Sequence, residues 1–257
     1  MSDRMRKLSV IIPTYNEEDN IEGVLKTVSW ADEWIVVDNF STDRTAGLAE
    51  GFGAKVLKRT YTGPADQKNW AIPQAAHEWV LLLDADERVT PELAQEIRHW
   101  MEQEADIPFD AFWIGRQNHF MGRKIRYSGW QNDAVVRLIR RDVCRYDNKQ
   151  VHEEIDTAHI RVSRLKAKMD HYTFKSLDHF LEKMQRYARW SAQDHAGKTG
   201  SIGLYHLWLK PSFRFFKHYI LKGGILDGAT GFIVSVIMAW GVFLRYVYLL
   251  AERRQKP

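Results

Sequence analysis

Only one cysteine, Cys144, occurs in the 257 residues. An intrachain disulfide is therefore excluded, and with it the secreted disulfide scaffold and any cysteine-based zinc cluster. A reducing compartment is the simpler expectation. The chain also lacks G-x-G-x-x-G after its first apolar run and lacks G-x-x-x-x-G-K-[ST] altogether. Neither a standard dinucleotide cradle nor a phosphate loop is expected, so phosphate here must be neutralised by a metal and basic side chains. No internal repeat and no low-complexity linker is visible. The apolar run near the start, Leu8 to Ile12, ends at Pro13. It is too short for the apolar region of a signal peptide, and no small-residue cleavage site follows.

What is present is ordinary in bulk and uneven in detail. Apolar residues make up 45% and charged residues 27%, which suits a globular chain with a core of useful size. That length fits one α/β domain, or one domain with an appendage. The net charge of +4 hides an asymmetry, because from Lys198 onward nine Lys/Arg stand against two Asp/Glu. The positive charge is concentrated in a C-terminal segment rich in aromatics, which suits an anionic membrane surface or a nucleic acid.

The first hundred residues alternate strand and helix signals. Leu8–Ile12, Trp34–Val37, Ala54–Leu57 and Trp79–Leu83 read as buried strands. Asn16 is expected to open a helix with Glu17, Glu18 and Asp19 in its first turn, where the helix dipole favours anions. Ser41 or Thr42 is expected to cap the next helix, with Gly51 and Gly53 ending it. Asp66–Ala76 reads as a helix interrupted by Pro73. Pro91–Glu102 reads as one capped by Thr90, with proline at its first position. Strands alternating with helices predict an α/β fold with a mostly parallel sheet covered on both faces. Further strand signals follow at Ala111–Arg116 and Ala134–Ile139, and helical signal returns over Leu177–Trp190. Gly197–Gly203 is the best boundary candidate, giving residues 1–203 as the main domain and 204–257 as a helical tail.

Asp84-Ala85-Asp86 follows the apolar run Trp79–Leu83. In an open parallel sheet the carboxyl end of a strand faces the ligand crevice. Two carboxylates there suit Mg²⁺ or Mn²⁺, which take one or two protein carboxylates together with phosphate oxygens and water. The alternative is a solvated turn with capping aspartates. Asp38 ends the second strand, where a carboxylate accepts hydrogen bonds from a base or ribose, or simply shapes a turn.

Three motifs in order, Ser9-Val10-Ile11-Ile12-Pro13-Thr14-Tyr15-Asn16-Glu17-Glu18, then Val36-Val37-Asp38 with Ser41-Thr42-Asp43, then Leu81-Leu82-Leu83-Asp84-Ala85-Asp86-Glu87, resemble the family 2 glycosyltransferases with the GT-A fold. The resemblance continues through Gly129-Trp130, Arg137-Leu138 and Val151-His152-Glu153. Within the family the chain is similar to bacterial lipopolysaccharide-core β-glucosyltransferases, on Gln67-Lys68-Asn69-Trp70-Ala71 and Gly223-Gly224-Ile225-Leu226-Asp227-Gly228.

The resemblance implies an inverting transfer of a hexose, glucose at branch level, from a UDP-sugar to a membrane glycolipid such as an inner-core heptose. Pro13, Thr14 and Glu17 would line the uridine pocket, Asp38 would meet the uracil or ribose, and Lys68 would lie beside the nucleotide. Asp84 would contact the ribose or the metal's water shell. Asp86 would bind the metal. His152, read from the residues alone, either reaches the metal or diphosphate or is structural. Glu153 would be the general base, with Glu154 adjacent. Such a transfer needs a base for the acceptor hydroxyl and charge stabilisation on the departing diphosphate. It forms no covalent enzyme intermediate, so Cys144 reads as core. Arg137 pairs either with phosphate or with an acidic neighbour.

Two other classes are weighed against this one. A haloacid-dehalogenase-type phosphohydrolase also carries D-x-D after an apolar strand, but it wants Thr or Val where Arg88 stands and uses the first strand. A non-enzymatic nucleotide-sugar-binding membrane scaffold is the third reading. The tail has three readings of its own. Lys210, Arg214, Lys217, His218 and Lys222 recur at helical spacing, and no charge falls between Asp227 and Arg245. The segment lies on the membrane, spans it over Gly228–Ala251, or packs as core or as an oligomer contact. The expected partners are a UDP-sugar, a membrane glycolipid and an anionic membrane surface at the cytoplasmic face of the inner membrane. Nucleic acid is not expected, and a homo-oligomer is left open.

Overall fold

The computed structural model describes residues 6–147, 154–173 and 177–255, with the side chains of His179 and Gln255 left out. In chain order, β1 is Leu8–Thr14, α1 Ile21–Thr27, β2 Glu33–Asp38, α2 Thr45–Gly51, β3 Lys55–Lys58, α3 Pro64–Ala71 and β4 Trp79–Leu82. They are followed by β5 Glu87–Arg88, α4 Pro91–Glu102, β6 Ala111–Phe120, β7 Arg123–Lys124, β8 Ala134–Arg140 and β9 Val162–His171. The C-terminal helices are α5 Leu177–His195, α6 Lys210–Phe216 and α7 Gly228–Gln255. The chain divides into two compact units, one of residues 1–116 and 133–171, the other of 117–132 and 172–257. These divisions fall at residues 116, 132 and 171, whereas the sequence expectation set a single boundary at Gly203.

The sheet order among the described residues is β3-β2-β1-β4-β8-β6-β9-β5, with β7 paired to β6. The pairs β1–β2, β1–β4 and β2–β3 are parallel, as the alternating strand and helix signals predict. The expectation of a mostly parallel sheet needs correcting beyond that point. β8 runs antiparallel to β4, β6 to β8, and β9 to β5, so the sheet is mixed. The reason is connectivity: β6 and β8 are joined without a crossover helix, and parallel neighbours need one.

β1, β2 and β4 are near-continuous apolar runs because helices cover both faces of the sheet. One cluster of the first unit packs Val10, Ile12, Val36 and Leu81 with Ile21, Val24 and Leu25 of α1 and with Leu93 and Ile97 of α4. The opposite face packs Ile11, Ile35, Val37, Val80 and Leu82 against Ala71 and Ile72. Cys144 belongs to this second cluster and is fully buried. Burial pushes its thiol up to about 11, so it is no nucleophile at neutral pH.

Local chemistry moves the first two helix starts. Asn16 adopts φ 52°, a left-handed conformation that a helix start does not tolerate. α1 begins instead at Ile21, after the Glu17 carbonyl accepts from the amides of Asn20 and Ile21. Ser41 and Thr42 do not cap α2, because they clip the loop after β2 to the loop after β1, and it is Asp43 Oδ1 that accepts from the Thr45 amide at the start of α2, at 2.9 Å. The Asn16 amide donates to Ser41 Oγ at 2.9 Å, and the Thr42 amide donates to Asn16 Oδ1 at 2.9 Å. The Glu18 amide donates to Asp43 Oδ2 at 3.1 Å, and the Glu17 amide to Thr45 Oγ1 at 2.8 Å. α3 stops at Ala71 and continues as a 3₁₀ turn through Pro73. α4 starts as expected, with the Thr90 hydroxyl accepting from the Leu93 amide at 3.2 Å.

In the second unit α7 packs along α5 and α6. Phe120, Ile125, Phe180, Val234 and Ile237 form one core there, and Ala192, Val242, Tyr246 and Leu249 form another. α7 is long and apolar enough to cross a membrane by length and composition, yet one face is occupied by these contacts. Phe232, Val236 and Trp240, four residues apart, remain exposed on it.

Candidate active site

The carboxyl ends of the parallel strands bring most of the expected residues to one edge of the first unit. Thr14 and Asp38 are register partners at the ends of β1 and β2. Leu83 donates its amide to the Ile11 carbonyl, which carries β4 forward to Asp84. Pro13 sits beside Thr14 on the same strand, partly exposed. The Thr14 hydroxyl is buried and has no hydrogen-bond partner among the described residues. A buried hydroxyl without a partner is rare, and at a strand's carboxyl end it is where a ligand atom is expected.

Asp38 is fully buried, and both its oxygens accept from Ser41, one from the amide at 3.0 Å and one from the hydroxyl. It shapes the loop after β2. Glu17 likewise holds a local structure, accepting from Asn20 Nδ2 at 2.7 Å.

Asp84 and Asp86 face different partners. Arg137 of β8 bonds Asp84 Oδ2, and Lys68 of α3 places its Nζ 3.4 Å from Asp84 Oδ1. Burial opposes ionisation of Asp84, but the charges of Arg137 and Lys68 outweigh it and hold the carboxyl well below the usual range. Arg137 thus pairs with carboxylates, since it also reaches Glu87 Oε1 at 2.8 Å. Glu87 is fully buried, its other oxygen accepts from the Asp84 amide at 2.9 Å, and Arg116 stands 3.6 Å away. Glu87 therefore ties down the backbone of the D-x-D segment, a role the sequence reading missed. Its spacing three residues after Asp84, on a buried strand end, was the available signal.

His171 was also missed. It ends β9 as the register partner of Glu87, and its Nε2 lies 3.5 Å from Asp86 Oδ2. No motif marks it, because the two-residue ladder of β5 with β9 creates the proximity. The described residues hold no group of three His, Cys, Asp or Glu that would form a metal cage. One carboxylate with one imidazole still fits a divalent ion that draws its remaining ligands from phosphate and water.

Glu153 and His152 lie outside the described residues, as does all of 148–153. The residues on either side are described. Tyr146 pairs with Ile155 in an antiparallel bridge, and the Asp147 amide donates to the Glu154 carbonyl at 2.9 Å. Tyr146 is pinned to α3 by Asn69, which donates to its carbonyl at 3.0 Å and accepts from its amide at 2.8 Å. Lys68 Nζ lies 5.1 Å over the Tyr146 ring. The stem carrying Glu154 is thereby anchored to the helix that delivers Lys68 to Asp84.

Residues 9–167 match the family model described as Glycosyl transferase family 2. The chain is a family 2 glycosyltransferase. It is 29% identical over 254 residues to an uncharacterised glycosyltransferase of Rickettsia typhi, covering 95% of this chain and 87% of that one. It is 26% identical over 243 residues to the lipopolysaccharide core biosynthesis glycosyltransferase LpsC of Rhizobium meliloti, covering 92% and 89%. Residues 1–349 of Staphylococcus aureus TarS, solved with UDP, superpose with a TM-score of 0.50 at 18% identity, covering 97% of this chain and 92% of that one. The glycosyltransferase therefore has the GT-A fold, with a mixed α/β sheet flanked by helices. Asp84 follows the fourth strand and faces two cations, which is not the nucleophile arrangement of the phosphohydrolase alternative.

Proposed function

We propose that this glycosyltransferase moves a hexose, glucose in the first instance, from a UDP-sugar to a membrane glycolipid such as an inner-core heptose, with inversion. The observation that carries the reading is the pairing of Asp86 with His171 beside Asp84 and Lys68. A carboxylate, an imidazole and a cation at the carboxyl ends of the strands support this reading, because a nucleoside diphosphate binds there in such sheets and a divalent ion accompanies it. The similarity to LpsC over nine-tenths of the chain supports the acceptor class, and TarS, whose structure holds UDP, supports the donor class.

In this reading Asp86 and His171 hold Mg²⁺ or Mn²⁺, which when bound stabilises charge on the departing diphosphate. Pro13, Thr14 and Asp38 line the uridine side, the Thr14 hydroxyl accepting or donating one bond to the ligand. Glu17 keeps the adjoining loop in shape. Lys68 adds positive charge beside the diphosphate, Arg137 keeps Asp84 charged, and Glu87 holds the Asp84 backbone in place. Glu153 takes the proton from the acceptor hydroxyl, and His152 adds a polar group next to it.

The reading places the enzyme on the cytoplasmic face of the inner membrane. Residues 204–226 leave Leu204, Trp208, Leu209, Phe213, Leu221 and Leu226 each at least 60% exposed. Basic residues between them add attraction for anionic headgroups. A glycolipid cannot leave the bilayer readily, so docking raises its local concentration.

Assays of the full chain with a panel of UDP-sugars, a heptose-bearing lipid acceptor and either Mg²⁺ or Mn²⁺ test this function. Release of UDP that needs both acceptor and metal is the expected result. Release of inorganic phosphate without sugar transfer would overturn it. Vesicle flotation tests the docking, with Trp208→Ser/Phe213→Ser expected to float less than the parent chain.

A further inference from the structure

Arg214 on α6 and Arg245 on α7 are partly buried guanidinium groups on two helices that pack together. The Nε of each is buried and has no hydrogen-bond partner among the described residues. Arg214 has one side-chain partner there, His218, whose Nε2 lies 3.4 Å from its Nη1. His218 Nδ1 donates to the Ser128 carbonyl at 2.7 Å, so in that tautomer its Nε2 accepts. Neither arginine forms an ion pair with a described carboxylate.

The surroundings add more positive charge. Burial, and after it the charge of Arg245, weakens the hold of Arg214 on its proton. Lys217 and Lys222 press on the neighbouring His218, and Lys210 reaches the Tyr246 hydroxyl at 2.8 Å. The one acid between residues 204 and 251 is Asp227. It is occupied by the amides of Arg126 and Tyr127 and by the Ser128 hydroxyl. Two partly buried arginines on packed helices, neither paired with a described carboxylate, are stabilised by an anion that offsets their desolvation and mutual repulsion.

We propose that Arg214 and Arg245 form a binding site for the phosphoryl group of a membrane lipid. A phosphoryl group has three terminal oxygens and accepts N–H donors from two forks at once, which suits paired arginines. The exposed neighbours argue for a lipid source. Leu209, Phe213 and Phe216 flank Arg214 along the same helical segment, and Trp240 is exposed on α7. A soluble anion gains nothing from these side chains, whereas a lipid phosphate arrives with an apolar surface beneath it. The lipid source rests on the membrane reading above, but not on sugar transfer, and the test uses no donor sugar.

The test is sedimentation of the full chain with phosphatidylcholine vesicles, with and without phosphatidic acid. Arg214→Gln/Arg245→Gln is compared with Lys198→Gln/Arg254→Gln, which removes the same charge from exposed positions. Charge-assisted hydrogen bonds make the expected loss for the arginine pair roughly tenfold or more on phosphatidic acid vesicles, with the control pair losing much less. Equal losses would overturn the site in favour of general electrostatic attraction. Arg214→Lys/Arg245→Lys keeps the charge and removes the fork, so it is expected to lose affinity too, and full retention would overturn the assignment. It also carries the test should the glutamine pair not fold. Inorganic phosphate is expected to protect the chain from thermal unfolding less than short-chain phosphatidic acid at equal concentration. Equal protection would overturn the lipid source. Phosphatidylcholine alone, whose phosphate is offset by its own choline, reports apolar docking, so failure of the membrane reading and failure of this site give different results.

Discussion

His171 meets Asp86 because β9 pairs with the two-residue strand β5, which puts His171 opposite Glu87 and its Nε2 3.5 Å from Asp86 Oδ2. If this pair holds the divalent ion, Asp86→Ala and His171→Asn should both weaken metal-dependent UDP binding. Even outer-shell partners of a metal are worth roughly 10–100-fold in affinity, so at least that loss is expected from each. Calorimetry of UDP with and without Mn²⁺ is the measurement. UDP binding by His171→Asn that responds to Mn²⁺ as the parent does would remove His171 from the site.

Glu153→Gln keeps the shape of the proposed base and removes its ability to take a proton. Turnover should fall by about 10²–10⁴, the range typical of a lost general base, while UDP affinity stays near the parent value. A normal rate in Glu153→Gln with a dead Glu154→Gln would move the role by one residue.

Arg137 compensates two carboxylates, one of them fully buried Glu87. Arg137→Met leaves them facing each other without that charge. Breaking a buried pair from one side destabilises by about 3–5 kcal/mol, and urea unfolding should show a loss on that scale. Unchanged stability would mean that Arg116 alone suffices for Glu87.

Two glycines of α7 should differ sharply in their tolerance of alanine. A Cβ on Gly231 would collide with the Gly224 carbonyl oxygen, whereas one on Gly241 would meet the flexible end of Met184 at 2.5 Å. Overpacking against backbone costs about 1–3 kcal/mol, so Gly231→Ala should unfold at clearly lower temperature than Gly241→Ala. The reverse order would contradict the close approach of the Gly224–Asp227 turn to α7.

His218 makes the stability of the second unit depend on pH. Burial lowers its pKa, the Ser128 hydrogen bond opposes this, and Arg214, Lys222 and Lys217 lower it further. His206 is lowered as well, by burial and then by Lys210 and Arg253. A histidine depressed in the folded state is protonated more readily when unfolded. Its contribution is therefore fully present above the unfolded value of about 6.5 and is lost as pH falls toward the folded value. Chemical denaturation between neutral and mildly acidic pH should show this decline, and His218→Gln should flatten it. An identical slope in the variant would place the effect elsewhere.

Much of the first unit is legible from local pattern. The apolar runs from Leu8, Trp34 and Trp79 locate β1, β2 and β4, because a strand buried on both faces has little room for polar side chains. Thr90-Pro91 marks the start of α4, because a capping hydroxyl and a preset proline φ act over one turn. The start of α1 was misread at Asn16 for the opposite reason. Asn16 and the acidic residues after it look like a first helical turn, but here the amides of Asn16, Glu17 and Glu18 are claimed by Ser41, Thr45 and Asp43, in the loop after β2 and at the start of α2.

The sequence by itself determined the family, the parallel half of the sheet, the D-x-D segment at its carboxyl edge, and the charge and aromatic bias of the last quarter. Each of these is written in contiguous residues or in a short spacing. The tertiary structure alone decided that Asp86 faces His171, that Arg137 answers Asp84 and Glu87, and that Asp38 spends its oxygens on Ser41. It alone decided which face of α7 is packed and that Arg214 and Arg245 sit on packed helices, neither ion-paired with a described carboxylate. Those relations join residues far apart in the chain, through strand register and helix packing. Register depends on the whole sheet and packing on both partners, so neither is contained in any one stretch of sequence.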